Sequence, residues 1–421
     1  MTTLAHHIDI ELLRQAFART RKDGAAGIDG QTAEGYAREL DENLRGLLDR
    51  FKSGTYRAPP VKRAHIPKGD GSTRPIGIPT FEDKLLQRAV AMVLEAVYEQ
   101  DFRDCSYGFR PGRSAHQALQ VLWDGAMAMN GGWLVEVDIR GFFDALVHRH
   151  LRSILDGRVR DGVIRRMIDK WLKAGVLENG SIVYPEDGTP QGGVVSPLLA
   201  NVYLHHVLDV WFEDEVRPRL GGRSLLVRYA DDFVIVFEHE VDARRVFEVL
   251  PKRFGKYGLE LHREKTRLVP FRRPLLSSVG RGKDAGGLRP GTFDFLGFTH
   301  VWSRSLQGNW YIRRRTAKGR FKRAVAKLAD WCRRARHWKV RDQHASLCRK
   351  LRGHDAYYGI AGNAPKLRAL RKRLERIWLR NLRRRSQRRN LSWRDFWRLL
   401  ERYPLPEPKV MHAVSARGAS P

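Results

Sequence analysis

Apolar positions along this chain change their spacing twice, and each regime predicts a different kind of element. Over the first 130 residues helical periods alternate with Gly/Pro-rich turns. In PTFEDKLLQRAVAMVLEAVYE, Leu86, Val90, Val93 and Val97 fall on one helical face, and Thr80 with Asp83 has the spacing of a capping box. From 131 to about 305 short β-branched and aromatic runs take over. WLVEVDI, LLVRYA, FVIVFE and FDFLGFTHVW predict strands, and LLVRYADDFVIVFE predicts a hairpin with two adjacent carboxylates at its turn. Ser196-Pro197 predicts a helix start, because proline is tolerated in a first turn. From 306 the helical period returns on a basic background. Phe321, Val325, Leu328, Cys332 and Ala335 share one face. Leu367, Leu370, Leu374 and Ile377 share another behind Asn363 and Pro365, and Ser392 with Asp395 predicts a further helix start. The final RYPLPEPKVMHAVSARGASP predicts a loose tail. The expected class is α+β, divided into 1–130, 131–305, 306–403 and a flexible 404–421.

The 421 residues suffice for two or three domains, and 42% hydrophobic residues for a substantial core. Charge changes the picture more: 78 Lys and Arg stand against 47 Asp and Glu, a net +31. Such a field attracts polyanions and makes their binding salt-dependent. Nucleic acid is the first partner to expect and an anionic membrane surface the second. No apolar run approaches 18 residues, and MTTLAHHIDIELL lacks the apolar core of a signal peptide, so a soluble intracellular protein is expected, cytoplasmic or nucleoid-associated. Cys105, Cys332 and Cys348 show neither C-x-x-C nor zinc-type spacing, so neither a disulfide nor a structural zinc is expected. SSVGRGKDAGGLRPG is glycine-rich but lacks the spacing of a phosphate-binding P-loop.

The chemistry concentrates in Asp231 and Asp232. Two neighbouring carboxylates repel unless a cation lies between them, and their hard oxygens suit magnesium. Polymerases use two such ions about 3.5–4 Å apart. The plainer reading is an Asp-rich turn. Asp138, at the end of WLVEV, would complete a three-carboxylate site or would merely cap the next turn. Asp144 is a rival from the same segment, read as structural.

An ordered series of motifs resembles the bacterial group II intron-encoded reverse transcriptase/maturase family over roughly residues 20 to 410. AAGIDG resembles its N-terminal extension, and IPKGDGSTRPIGIPTFEDKLLQRA and SYGFRPGRSAHQAL resemble its first two fingers blocks. VEVDIRGFFD, TPQGGVVSPLLANVYL, YADD, GLELHREKT and FDFLGF follow as the next five, and LRGHDAYYGI resembles the maturase or thumb segment. The resemblance implies a right-hand polymerase with fingers (1–130), palm (131–305) and a helical thumb/maturase domain (306–403). It implies RNA-directed DNA synthesis with two Mg2+ ions held by Asp138, Asp231, Asp232 and the backbone of Ile139. It places Lys68 and Arg74 on the incoming triphosphate, Phe143 near the sugar, Gln191 near sugar and base, and Lys265 at the pyrophosphate. Four of these have a plain alternative: solvated charge for Lys68, Arg74 and Lys265, and core packing for Phe143. Arg110 and Arg113 would hold template phosphates or pair within the fingers. His354, Tyr357 and Tyr358 would pack the thumb or, less favoured, stack on RNA. Arg383, Arg384, Arg385, Arg388 and Arg389 would track an RNA backbone.

The implied partners are an RNA template and primer, group II intron RNA, dNTPs and a DNA target, with no membrane; a homodimer stays open. No Cys/His cluster of an HNH-type endonuclease is visible, so the chain is expected to prime from a nick or fork made elsewhere. Ser-Pro in QGGVVSP departs from the Ser-Gln of diversity-generating retroelement enzymes. Two other readings stay alive: an RNA-binding splicing factor with secondary polymerase activity, and a domesticated relative in phage defence or repair.

Overall fold

Three helices open the chain, α1 (Ile10–Arg19), α2 (Ala33–Ala37) and α3 (Leu40–Lys52), each with a polar face outward and Leu13, Tyr36, Leu44 or Leu47 inward. The computed structural model describes residues 1–67, 73–178, 181–184, 188, 192–274, 290–385 and 391–412. Lys68, Gln191, Arg388, Arg389 and all of SSVGRGKDAGGLRPG except its last two residues lie outside them. The chain divides into two compact units, 1–118 with 133–268, and 119–132 with 269–421. The strands after 269 therefore belong with the basic helices, where a boundary near 305 was expected.

In the first unit, β1 (Val61–Pro67) and β2 (Thr73–Ile78) form an antiparallel ribbon leading into α4 (Phe81–Tyr98). The expected face of α4 is buried, and so are Leu85, Ala89 and Leu94, as befits a helix inside a core. Its expected capping box is only half formed. Thr80 accepts from the Asp83 amide at 3.3 Å, but the Asp83 carboxylate turns inward to accept from Tyr56, Gln87 and Trp171. Helix α5 (Ala115–Ala128) begins in this unit and ends in the other. Then come β3 (Trp133–Val137), α6 (His148–Arg158), α7 (Gly162–Leu172) and the short strands β4 (Val176–Glu178) and β5 (Ser181–Val183). Helix α8 (Ser196–Leu204) starts at the expected Ser-Pro and runs on as a π-helical stretch, His205–Val216. Strands β6 (Ser224–Tyr229) and β7 (Asp232–Phe237), helix α9 (Glu240–Gly255) and β8 (Arg267–Pro270) follow. One sheet has the order β2-β1-β4-β5, the other β6-β7-β3-β8. Strands β3 and β7 are buried along almost their whole length, so they read as continuous apolar runs and not as an alternation.

In the second unit, FDFLGFTHVW is not one strand. Leu296 and Gly297 both take left-handed φ, 48° and 82°, and fold it into β9 (Phe293–Phe295) and β10 (Phe298–Arg304). A two-residue turn with positive φ at both positions matches the twist of a hairpin. Strand β11 (Trp310–Thr316) completes this sheet. Helices α10 (Lys318–Arg334), α11 (Val340–Tyr358), α12 (Ala364–Arg383) and α13 (Trp393–Arg402) gather around Leu328, Leu347, Leu351, Leu374 and Trp378. The capping box at Ser392 and Asp395 is complete. The expected loose tail is corrected over its described part: Leu405 is buried in this core, and the Met411 and His412 amides bond the Gly359 carbonyl. His354, Tyr357 and Tyr358 pack, with Tyr357 bonding the Leu296 carbonyl at 2.8 Å.

Candidate active site

The site is built on the tip of the β6–β7 hairpin. Tyr229 pairs with Asp232, which leaves Ala230-Asp231 as a two-residue turn. Ala230 takes φ 57°, at a position such turns usually give to glycine. A fully buried cluster beneath holds it there. Arg228 donates to the Ala230 carbonyl at 3.0 Å and to Asn201 at 3.0 Å, and grips both oxygens of Asp209 at 2.7 and 2.5 Å. Burial pushes the Asp209 carboxyl up, but Arg228 and His205 outweigh it and hold it below the usual carboxylate range. Asn201 in turn donates to the Gly108 carbonyl at 2.7 Å.

Asp138 arrives from the strand next to β7 in the same sheet, one residue past the end of β3. Its carbonyl accepts from His262 at 2.8 Å, and Ile139, buried, bridges Leu261. Asp138, Asp231 and Asp232 line one open cavity of about 530 Å³, together with Glu136, Glu264, Lys265 and Arg267. Asp231 is half-buried and Asp232 exposed. Burial lifts the Asp231 carboxyl above its usual value and Asp138's like charge adds to this, against its own backbone amide, Arg74 and Arg228. Lys265 puts its ammonium 2.9 Å from the Asp138 carboxylate.

These oxygens suit a hard divalent cation. Among the described residues, no three acidic, His or Cys side chains converge closely enough to cage an ion unaided. A hard divalent cation held there would complete its shell with water or substrate oxygens. The Lys265 ammonium, 2.9 Å from one Asp138 oxygen, would compete with such an ion for that carboxylate.

The other expected residues divide. The charge of Arg74, on β2, reaches Asp231. Phe143 is half-buried and edge-on to buried Phe142, with ring centroids 5.4 Å apart. Asp144 is exposed and is not among the cavity residues. Arg113 pairs with Asp104 at 2.6 Å. The phosphate role expected for Arg110 is corrected: it is buried, and its guanidinium donates to both Glu99 oxygens and to the Arg103 and Ser106 carbonyls. In the second unit, Arg383 donates to the Leu391 carbonyl and Arg385 to that of Trp338, and Arg384 is exposed.

Gln87, like Arg228, escaped the sequence reading. Gln87 accepts from the Val194 and Val195 amides at 2.7 and 3.3 Å and donates to buried Asp83, whose carboxyl burial pushes up to about 6. It thereby fixes the segment just after Gln191. Gly192 in that segment passes so close to β2 that a Cβ would lie 2.4 Å from the Gly77 oxygen. The available signal was the pair itself: two polar residues four apart inside the apolar face of α4.

A family model described as reverse transcriptase (RNA-dependent DNA polymerase) matches residues 66–300, more than half of the chain. The group II intron-encoded protein LtrA of Lactococcus lactis subsp. cremoris is 44% identical over 185 residues, 43% of this chain and 30% of that protein. Protein YkfC of Escherichia coli (strain K12) is 34% identical over 275 residues, 58% of this chain and 71% of that one. A 91 kDa protein in the cob intron of Schizosaccharomyces pombe is 37% identical over 188 residues, 45% of this chain and 23% of that protein. The match thus spans under a third of LtrA. The chain belongs to the reverse transcriptase (RNA-dependent DNA polymerase) family, and a group II intron-encoded protein is among the relatives it resembles. Its α+β fold is accordingly the right-hand polymerase fold, and the family uses divalent metal ions. No helix among the described residues is long and apolar enough to cross a membrane.

Proposed function

We propose that this chain is an RNA-directed DNA polymerase that extends a primer 3′-hydroxyl with dNTPs on an RNA template, and that its basic helical part binds group II intron RNA as a maturase. One observation carries the reading: three carboxylates from two strands of one sheet meet at an open cavity, on a turn whose backbone is locked from below. Two magnesium ions held by Asp138, Asp231 and Asp232, with the Ile139 backbone, would supply charge neutralisation at the attacking hydroxyl and the leaving pyrophosphate. Arg228 keeps the turn in the one conformation that aims both aspartates at the cavity. Arg74 and Lys68 orient the triphosphate, and Phe143 lies against the sugar. Gln191 contacts the nucleotide near its sugar and base. Lys265 holds a proton on Nζ beside the departing phosphate. Incorporation that stops opposite the template position complementary to a withheld dNTP tests the templated character of the reaction; untemplated tailing would contradict it.

Two further outcomes follow. Lys265→Met is expected to slow extension by about 10²-fold, within the range for a group that transfers a proton. A change under about threefold would leave Lys265 as an exposed ion-pair partner only. Reversing Arg383, Arg384 and Arg385 to glutamate is expected to weaken RNA binding and to flatten its log–log salt slope by about two to three. An unchanged slope would turn that surface away from RNA.

A further inference from the structure

Phe109 combines two properties that rarely coincide. Its φ is 56°, in the left-handed region where a bulky aromatic is an outlier, and the residue is 58% exposed. A ring left in solvent gains little from burial, so packing does not account for the strain. The surroundings impose it from both sides. A Cβ on Gly108 would lie 2.3 Å from the Ala230 nitrogen, so this backbone is wedged against the catalytic turn. Asn201 ties down the Gly108 carbonyl, and the Tyr107 amide bonds the Arg228 carbonyl at 2.8 Å. On the far side the buried Arg110 clamp fixes the next residue and lies over the Phe102 ring. The outcome is an aromatic ring held out beside Tyr229, with centroids 6.4 Å apart and planes at 43°. Strain kept at an exposed residue next to reacting groups points to function and not to stability.

We infer that Phe109 is a substrate-binding residue: with Tyr229 it forms an open aromatic platform beside the catalytic turn, on which a nucleobase of the primer–template stacks. The chemistry suits a copying enzyme, since every base offers a π face and stacking is indifferent to sequence. The net charge of +31 attracts the phosphate backbone but does not align it with the carboxylates. A rigid ring tied to the same turn as Asp231 does so directly. This assignment rests on the polymerase reading.

The test uses the full chain with Phe109→Ala, Phe109→Gly and Phe109→Trp. It measures Kd for an RNA primer–template by fluorescence anisotropy, KM for dNTP, kcat and Tm. Alanine and glycine are expected to raise Kd by about 5- to 100-fold, the range for loss of one stacked base, and tryptophan to restore it. Tm is expected to stay within about 2 °C for alanine and to hold or rise for glycine, which accepts the left-handed φ without strain. A loss that falls in KM for dNTP, with Kd intact, would keep the platform but assign the stacked base to the incoming nucleotide. Unchanged Kd and KM in both small variants would overturn it, as would an equal loss in the tryptophan variant. Failure of the wild-type chain to extend any primer would count against the polymerase reading while leaving the affinity comparison decisive for the platform.

Discussion

Asp231→Ala is expected to lower primer extension by about 10³-fold or more, because several kcal/mol of transition-state charge stabilisation depend on the ligands it would remove. RNA affinity is expected to stay within about threefold, since the salt-dependent term is set by lysines and arginines that the substitution leaves in place. The two readouts separate because of where Asp231 sits. It is half-buried at the turn, its carboxyl raised mainly by burial against its own backbone amide and Arg74, with Asp138 adding to the rise, while the basic helices belong to the other unit. Extension at the wild-type rate would remove Asp231 from the site. A parallel loss of RNA binding would mean that the turn had unfolded.

Arg228→Met is expected to lower stability by about 3–5 kcal/mol, the cost of leaving a buried charge without its partner. At this chain length that corresponds to a fall in Tm of roughly 3–6 °C. The partner left behind is Asp209, fully buried with Arg228. Arg228→Lys is not expected to rescue, because one ammonium cannot reproduce the fork that reaches Asp209, Asn201 and the Ala230 carbonyl together. Adding Asp209→Leu to Arg228→Met is expected to recover much of the stability but not the activity. The buried charge is then gone, yet nothing holds Ala230 in its left-handed conformation. A pH series checks the sign. Asp209 is held below the ordinary carboxylate range, so its contribution is present at neutral pH and is lost as pH falls below about 4. The methionine variant is expected to lose that acid-side dependence. A Tm change under about 2 °C would contradict the role given to the pair.

The parts of this molecule that were legible in its sequence are those written in local spacing. The hairpin around Asp231-Asp232 follows from two β-branched runs with a two-residue gap, and the helix starts at Ser196 and Ser392 from proline and capping chemistry. Asp138 could be placed at a strand end but not beside Lys265, because the ion pair spans residues far apart in the chain. The misread parts share that cause. Arg110 looked available for phosphate because the Glu99 side chain and the Arg103 and Ser106 carbonyls that enclose it leave no mark on periodicity. Asp83 looked like a cap because its spacing from Thr80 is right, whereas Tyr56 and Trp171 draw it inward from 27 and 88 residues away. Leu296 broke an apolar run that pattern alone joins, since a left-handed leucine is rare enough that only the following glycine hints at it. Arg228 was the most informative overlooked residue: a charge inside LLVRY has to find a buried partner, and Asp209 is that partner.

The most direct test of the central claim is primer extension on an RNA template with magnesium and dNTPs, wild type beside Asp232→Asn. Template-length DNA is expected from the wild type alone, with both proteins binding the RNA equally. Equal extension by both would contradict the assignment of the metal site to the hairpin turn, and RNA binding without extension by either would contradict the polymerase itself.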